Sequence, residues 1–263
     1  MSDRSSPNQA SSQPPEVLRM LAHPLRWQLV QALAASDYRV HELAALVEQP
    51  FNLVSYHLKL LRTSGLVGLR KSDADGRDLY YHLELERLQT DYQAAALALY
   101  PDWPWADMPP ALPARSAQRV LFLCTHNSAR SQMAEALLRH LGTGRYLVGS
   151  AGTQPRPVRP EAVQVMAEMG IDMLGQRPTH LEELRGRRFD VVITVCDRVR
   201  EECLSYDFCQ ANLHWSIPDP AAVEEQAGRR QAFAAAASEL ERRIRHFIRL
   251  GQLRSSTEAG EGS

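Results

Sequence analysis

Apolar residues at helical spacing mark the first part of the chain. They recur at that spacing over residues 15–33 and 40–47, and a further helix is predicted over 49–62. Two short apolar runs follow at 66–70 and 77–83, and the polar turn between them favours a β-hairpin. This order predicts a helix-turn-helix followed by a β-wing.

A last amphipathic helix follows the predicted wing and carries its apolar residues along one side. These residues are Leu85, Leu88, Tyr92, Ala95, Ala96 and Leu99. We expect this side of the helix to be a dimerisation face.

The pattern changes near residue 118. An apolar strand over 119–123 enters a loop and then a helix, and residues 190–195 predict another buried strand. A final amphipathic helix is predicted over 229–250, and internal packing is its default role.

Composition divides the chain into two domains. Residues 1–14 and 251–263 contain few apolar side chains, so both are predicted to be disordered tails. Residues 100–117 contain five prolines, which favour an extended linker. The predicted domains are therefore 15–99, a winged helix that is mainly α with a β-wing, and 118–250.

Overall composition restricts the class of protein only loosely. The chain has 263 residues, of which 44% are hydrophobic and 23% charged, which suits two modest domains with separate cores. No signal peptide or membrane-spanning apolar run is present, so we expect a cytoplasmic protein without membrane association. Four cysteines in a chain of this length do not indicate a disulfide scaffold. The net charge of −1 excludes no partner, because charge can be concentrated on one face.

The loop after the strand 119–123 begins with Cys124 and ends with Arg130 at the start of a helix. Backbone N–H groups at a helix N-terminus bind tetrahedral anions, and the same field favours a reactive thiolate. A guanidinium at the end of the loop can hold two anion oxygens. The alternative interpretation is a buried structural cysteine. The combination of strand, short loop, arginine and helix favours the anion site over it. The predicted substrate-binding loop comprises Thr125, His126, Asn127, Ser128, Ala129, Arg130 and Ser131.

This loop and its flanks resemble the low-molecular-weight protein tyrosine phosphatases over residues 118–250, and among them the thiol-dependent arsenate reductases. The downstream sequence CDRVREEC places Cys196 and Cys203 like the relay pair of those reductases, and IPDP places Asp219 like the family's general acid. The resemblance implies a three-layer α/β domain with a parallel sheet. It also implies that Cys124, Cys196 and Cys203 reduce arsenate to arsenite in a thiol–disulfide cascade. The fourth cysteine, Cys209, has no counterpart in the family pattern.

The implied cascade carries a geometric condition. Seven residues on a continuous helix rise about 10.5 Å, whereas a disulfide tolerates Cα separations only up to about 6.8 Å. The segment 196–203 must therefore unwind or shift for Cys196 and Cys203 to form the terminal disulfide.

Two other functions stay open for this domain. A tyrosine phosphatase needs only Cys124, Arg130 and Asp219, but relatives of that branch carry aromatic residues after the Asp-Pro, where this chain has Ala221 and Ala222. A non-catalytic sensor of oxyanions or of redox state would use the loop for binding alone.

The reductase implied by the resemblance requires no cofactor beyond an external thiol reductant such as thioredoxin or a low-molecular-weight thiol. Some relatives bind potassium near the loop, where this chain has Asn127, Glu135 and Ser150, but Thr179 replaces the usual aspartate. No pair of residues has the Cys or His spacing of a zinc site, so no metal site is predicted. His126 is a weaker candidate ligand of the anion.

The first domain resembles the ArsR/SmtB winged-helix repressors in the stretches AHPLRWQLVQAL and SYHLKLLRTSGLV. The resemblance implies a homodimer that binds operator DNA. From Gln49 to Ser72 the charged residues are all basic, which favours phosphate contacts. The predicted DNA-binding residues are Asn52, Ser55, Tyr56, Lys59, Arg62, Arg70 and Lys71.

The first domain also lacks a feature of many metal sensors in that family. Those proteins carry two cysteines in the helix before the recognition helix, but residues 41–47 here contain none. Soft ligands for arsenite are thus missing at this position. Either this domain regulates without metal, or sensing belongs to the second domain through its redox state or anion occupancy.

Overall fold

The computed structural model describes residues 13–100, 117–203 and 213–260. Within these residues the chain forms two compact units. The first comprises 13–34, 40–68 and 83–100, and the second comprises 35–39, 69–82 and the described residues from 117 onward. Most of the predicted wing, residues 69–82, and the short segment 35–39 therefore group with the second unit, although the sequence predicted one module over 15–99.

The first unit is helical, as predicted. Its helices are α1 (Glu16–Leu21), α2 (Pro24–Ala35), α3 (Val40–Leu46), α4 (Phe51–Thr63) and α5 (Leu85–Leu99). The single helix predicted over 15–33 is divided before Pro24, because a proline disfavours helical backbone in the residue that precedes it. The buried side chains that hold α2, α3 and α4 together include Leu29, Leu33, Leu43, Val54, Leu58 and Leu61.

The predicted β-wing is confirmed as a two-stranded sheet. Its strands are β1 (Val67–Lys71) and β2 (Leu79–Leu83). Between them, Ser72 accepts hydrogen bonds at its Oγ from the backbone N–H of Ala74 at 3.1 Å and of Asp75 at 3.3 Å. These bonds give the connecting loop a defined shape.

The second unit contains a four-stranded parallel sheet with the order β4-β3-β5-β6. The strands are β3 (Gln118–Leu123), β4 (Tyr146–Ala151), β5 (Val191–Thr194) and β6 (Leu213–His214). Strand β3 lies at the centre and its residues 120–123 are buried, as its unbroken apolar run predicts. Because the strands are parallel, their carboxyl ends meet at one edge of the sheet, where β3 and β5 deliver Cys124 and Cys196.

In the described part of this unit, four helices and two short 3₁₀ segments accompany the sheet. The helices are α6 (Arg130–Leu141), α7 (Pro160–Glu168), α8 (Asp197–Cys203) and α9 (Gln226–Gly260), and the 3₁₀ segments are Leu181–Leu184 and Pro220–Ala222. Helix α9 continues past the predicted end at Leu250 to Gly260, because helix propagation adds a hydrogen bond per residue and no proline interrupts it. Within the described residues, no helix is long and apolar enough to cross a membrane.

The segment 35–39 packs along the edge strand β6. The Asp37 backbone N–H donates to the His214 carbonyl at 2.7 Å, and the Trp215 Nε1 donates to the Ala35 carbonyl at 3.1 Å. The Asp37 carboxylate is buried, accepts from the Ser216 N–H at 2.7 Å and pairs with Arg243 at 2.8 Å. A buried charge requires such partners, and the segment covers backbone groups that an edge strand would leave unpaired.

Candidate active site

The predicted nucleophile lies in a tight loop between β3 and α6. Cys124 is 3% exposed, and its Sγ accepts a hydrogen bond from the Asn127 backbone N–H at 3.2 Å. The Ser131 hydroxyl lies 2.8 Å from the same sulfur. Both groups are placed to hydrogen-bond a thiolate.

Asn127 holds the loop in shape. Its backbone adopts a positive φ of 43°, a conformation that asparagine tolerates better than most residues. Its buried amide nitrogen donates to Ser131 Oγ at 2.9 Å and to Ser150 Oγ at 2.8 Å. Its amide oxygen accepts from the Thr179 N–H at 2.8 Å and from Gln132 at 3.0 Å. The Asn127 side chain therefore connects the loop with α6, with β4 and with the backbone at Thr179.

Gly152 allows the loop to lie close to the end of β4. A Cβ at this position would lie 2.6 Å from the Thr125 carbonyl oxygen, 2.8 Å from that of Cys124 and 2.9 Å from the Asn127 nitrogen. Atoms of the backbone cannot be displaced cheaply at such distances. The loop geometry thus requires glycine here, a requirement that sequence analysis missed although the GSAGT stretch was visible.

Arg130 and Asp219 meet at the mouth of the loop. The Arg130 side chain is 8% exposed, and its Nη2 lies 3.3 Å from the Asp219 carboxylate. Its Nη1 donates to the Ile217 carbonyl at 2.9 Å. Asp219 also caps the 3₁₀ segment by accepting from the Ala221 N–H at 3.1 Å. The predicted clamp and the predicted acid therefore face the same site.

Cys196 is buried directly beside this loop. It is 1% exposed, and its Sγ lies 3.3 Å from the Thr125 backbone nitrogen and 3.4 Å from the Thr125 hydroxyl. Burial raises the pKa of the Cys196 thiol, the neighbouring Cys124 raises it further, and Arg130 opposes the increase. The second thiol of the predicted relay therefore adjoins the first.

Cys203 ends helix α8, and its side chain lies outside what the structure describes, as does all of Cys209. Because residues 197–203 are helical, Cys196 and Cys203 are separated by a rise of about 10.5 Å along the helix axis. This separation must shorten before the two cysteines can form a disulfide. That this segment unwinds or shifts during turnover stays a prediction.

An unpredicted cluster surrounds Asp197, the first residue of α8. This fully buried carboxylate accepts from His214 Nε2 at 3.0 Å and from Ser216 Oγ at 2.6 Å. Arg70 Nη2 lies 2.9 Å from it. Burial acts to raise the pKa of Asp197, but the His214 hydrogen bond and the Arg70 charge hold it well below its usual range. At neutral pH a negative charge thus lies immediately after Cys196.

The loop between β1 and β2 also reaches this site within the second unit. The Asp73 backbone N–H donates to Asp197 at 2.8 Å, and the Asp73 carboxylate lies 3.2 Å from Arg130 Nη1. Arg70 Nη1 also donates to the Asp73 carboxylate, at 3.1 Å. The sequence predicted Arg70 as a DNA contact; here its guanidinium joins Asp73 and Asp197, and the DNA contact stays a prediction.

The remaining loop residues differ in exposure. Ser128 and Ala129 are buried, and His126 is partly buried. Burial chiefly lowers the pKa of His126, and the nearby Arg156 lowers it further. A neutral imidazole can donate one hydrogen bond to an anion, so His126 stays a candidate ligand.

The residues predicted near a potassium ion do meet, but they bond one another. The Asn127 amide nitrogen, rather than its oxygen, faces Ser150, and Ser150 donates to Glu135 at 2.6 Å. Glu135 also pairs with Arg139. This donor set is satisfied without a cation, and we derive no catalytic step through potassium. Across the described residues, no group of three or more His, Cys, Asp or Glu side chains is placed to hold a metal ion.

The predicted DNA-contacting residues on α4 share one polar face of that helix. Asn52, Tyr56, Lys59 and Arg62 are exposed and Ser55 is partly so, whereas Val54, His57, Leu58 and Leu61 on the other side are buried. Lys71, at the end of β1, is exposed. This face is available to a ligand in the first unit.

The arrangement in the second unit can perform nucleophilic chemistry on an oxyanion. Cys124 supplies the attacking sulfur, Arg130 a bidentate clamp and Asp219 a carboxyl group in reach of the same position. Cys196 adds a second thiol behind the loop. Chemistry on a phosphate ester needs only the first three groups, while reduction needs the second thiol as well.

Comparison with protein families separates the two halves of the chain. Residues 119–258, just over half of the chain, match the family model of low molecular weight phosphotyrosine protein phosphatases. Residues 23–68 match that of bacterial regulatory proteins of the arsR family.

The similar curated proteins include reductases. An arsenate reductase of Halalkalibacterium halodurans is 33% identical over 134 residues, which cover 51% of this chain and 96% of that protein. A glutaredoxin arsenate reductase of Synechocystis is 42% identical over 79 residues, covering 30% of this chain and 60% of that protein. A solved arsenate reductase in the phosphate binding state is 29% identical, with a TM-score of 0.41, and the match covers 50% of this chain and 96% of the other.

Proposed function

The chain belongs to the low molecular weight phosphotyrosine protein phosphatase family, joined to an arsR-type helix-turn-helix, and we propose that it is both a transcription regulator and an arsenate reductase. The observation that carries the reductase is the position of Cys196, buried beside Thr125 in the loop of Cys124. A phosphatase has no need of a second thiol at this place. The similarity to arsenate reductases over this half of the chain supports the same proposal.

The first step is attack on arsenate. The Cys124 thiolate forms a bond to arsenic while Arg130 holds two of the oxygens, and Asp219 gives its proton to the oxygen that leaves as water. The product is a covalent thiol–arsenate adduct. Asn127 and Ser131 hold the sulfur in position through the contacts described above.

The second step reduces arsenic. The Cys196 thiolate attacks the Cys124 sulfur, the sulfur–arsenic bond breaks, and its electron pair leaves with arsenite. Arsenic gains two electrons and the two thiols lose them as the Cys124–Cys196 disulfide. Because burial raises the pKa of Cys196, its thiol must lose its proton as it attacks. An oxygen of the departing arsenite accepts that proton, and the cation of Arg130 favours the loss.

The third step regenerates Cys124. Cys203 attacks Cys196, releases the Cys124 thiolate and leaves a Cys196–Cys203 disulfide. An external thiol reductant, such as thioredoxin, glutaredoxin or a low-molecular-weight thiol, then supplies two electrons. Recycling of this kind requires a reducing compartment, so we place the protein in the cytoplasm.

The test separates reductase from phosphatase with one variant. We expect Cys196→Ala to lower sustained arsenate turnover by about 100-fold or more and to change aryl-phosphate hydrolysis by no more than about twofold, because only reduction uses the second thiol. Cys209→Ala is the matched control, since that cysteine has no role in the cascade, and both activities should persist.

Other outcomes assign the alternatives. If the wild type hydrolyses aryl phosphate and consumes no thiol with arsenate, the protein is a phosphatase. If the wild type turns over neither substrate but binds inorganic phosphate, it is a non-catalytic anion sensor. The alanines that follow Asp219-Pro220 leave no aromatic grip for a phenolic ester, which favours the reductase.

The regulator half of the proposal concerns the first unit. We propose that the exposed face of α4 binds operator DNA, with Asn52, Ser55 and Tyr56 toward base edges and Lys59 and Arg62 toward phosphates. Two copies would be joined through α5, whose Tyr92 and Leu99 are 48% and 82% exposed. Exposed apolar side chains of this size favour a protein contact.

A further inference from the structure

The wing loop places a carboxylate on the arginine of the anion site. We propose that Asp73 is a built-in competitor that must leave Arg130 before an oxyanion can bind there. The Asp73 carboxylate lies 3.2 Å from Arg130 Nη1, and Asp219 lies 3.3 Å from Nη2. Both terminal nitrogens of the fork therefore already face a carboxylate oxygen.

An incoming oxyanion needs the same donors. A guanidinium binds a tetrahedral anion by two parallel N–H bonds, and Nη1 also donates to the Ile217 carbonyl at 2.9 Å. Asp219 is required at the site as the proposed acid, whereas Asp73 has no place in the proposed steps. The need to displace Asp73 therefore lowers the apparent affinity for the anion, although Asp73 contributes nothing to the proposed reaction.

Buried groups anchor the loop in this position. Asp197, fully buried, accepts from the Asp73 backbone N–H at 2.8 Å and pairs with Arg70 at 2.9 Å. Ser72, 6% exposed, donates its N–H to the Asp78 carbonyl at 2.9 Å. Because a buried carboxylate with several partners holds the loop, the loop has a defined position and its contact with Arg130 is not an incidental surface contact.

The anchor also connects the competitor to the relay. Asp197 directly follows Cys196 and begins α8, the helix that must unwind or shift for the terminal disulfide in the proposed function. When that helix moves, Asp197 moves with it, so Arg70 and the Asp73 N–H lose their shared partner together. In this respect the inference rests on the proposed function, while the competition at Arg130 itself does not.

The test uses inorganic phosphate as the probe, because it binds an oxyanion site without being reduced. We expect Asp73→Asn to tighten phosphate binding, measured by calorimetry, by about threefold to fivefold, the effect of removing a partly exposed ion pair. In the arsenate assay the same variant should lower KM and leave kcat unchanged. A merely structural residue would not improve binding when it is replaced.

Asp75→Asn is the matched control. Asp75 lies in the same loop and pairs with the exposed Arg77 at 2.7 Å, so its removal changes the loop charge equally and should leave phosphate affinity unchanged. Equal tightening in both variants would overturn the proposal, because general charge would then explain it. Unchanged or weaker binding in Asp73→Asn, with unaltered thermal stability, would overturn it as well.

Failure of the proposed function gives a different result. If phosphate binding tightens in Asp73→Asn while the wild type turns over no arsenate, the competitor is supported and the reductase is wrong. If arsenate is reduced and binding does not tighten, the reductase is supported and the competitor is wrong. A second variant, Asp73→Ser, repeats the measurement should the asparagine variant fold poorly.

Discussion

The anion loop of the second unit and the polar face of α4 in the first unit present polar side chains in opposite ways. In the loop, Asn127 and Ser131 are fully buried and bond one another. On α4, Asn52, Tyr56 and Lys59 are exposed along one side of a helix whose other side is apolar. The loop is a single hydrogen-bonded body, whereas the helix face is a row of separate groups.

This difference determines how each region should respond to substitution. Buried polar groups that share partners are coupled, so removing one leaves others unsatisfied and the effects do not add. Exposed groups that contact phosphates act one at a time, and each contributes a small electrostatic share. We therefore expect single changes to disable the loop and only to weaken the helix face.

The largest effect is expected at Gly152. In Gly152→Ala the added Cβ meets backbone oxygens of Cys124 and Thr125 at 2.8 and 2.6 Å, so the loop must move away from its anion-binding shape. We expect arsenate turnover and phosphate affinity both to fall by about 100-fold or more, since a shift of 1 Å at a positioned site can have that effect.

Gly149→Ala in strand β4, three residues before Gly152, is the control, because a Cβ there meets only the Leu121 side chain at 4.0 Å. Its activity and phosphate affinity should stay within about twofold of wild type, since a methyl group that contacts no atom closely has little effect on the fold. Normal phosphate affinity in Gly152→Ala would show that the loop adapts, and the contrast between the two regions would weaken.

The smallest effect is expected on α4. Lys59→Ala should weaken binding to a mixed-sequence DNA duplex only several-fold and reduce the slope of log affinity against log salt by about 1, the signature of one lost phosphate contact. Fluorescence anisotropy at several salt concentrations measures both quantities. Arg87→Ala on α5, which pairs with Asp91 outside the proposed face, is the control. An unchanged salt slope in Lys59→Ala would remove that residue from the DNA contacts.

Short-range patterns predicted much of the molecule. Helix α4, the wing strands and the strand that delivers Cys124 could be read from apolar spacing within a few residues. The thiol loop was predicted for the same reason, because Cys124, Arg130 and Ser131 lie on one continuous stretch. The family resemblance supplied Cys196 and Asp219, and the structure brings both to that loop.

The parts that were missed depend on residues far apart in the chain. Asp37 and Arg243 form a buried pair across 206 positions, and the Asp197 cluster joins the wing loop to β6. No local pattern indicates which distant charge neutralises another. Gly152 was missed because its requirement comes from the backbone of Cys124 and Thr125, in the loop that follows strand β3.

The most direct test of the central claim is a disulfide map. Reduced protein is mixed with a stoichiometric amount of arsenate, quenched with an alkylating reagent and mapped by mass spectrometry. The account predicts a Cys196–Cys203 disulfide in the wild type and a trapped Cys124–Cys196 disulfide in Cys203→Ser, each matched by one equivalent of arsenite. Arsenite formed while Cys196 remains alkylated as a free thiol would contradict the account.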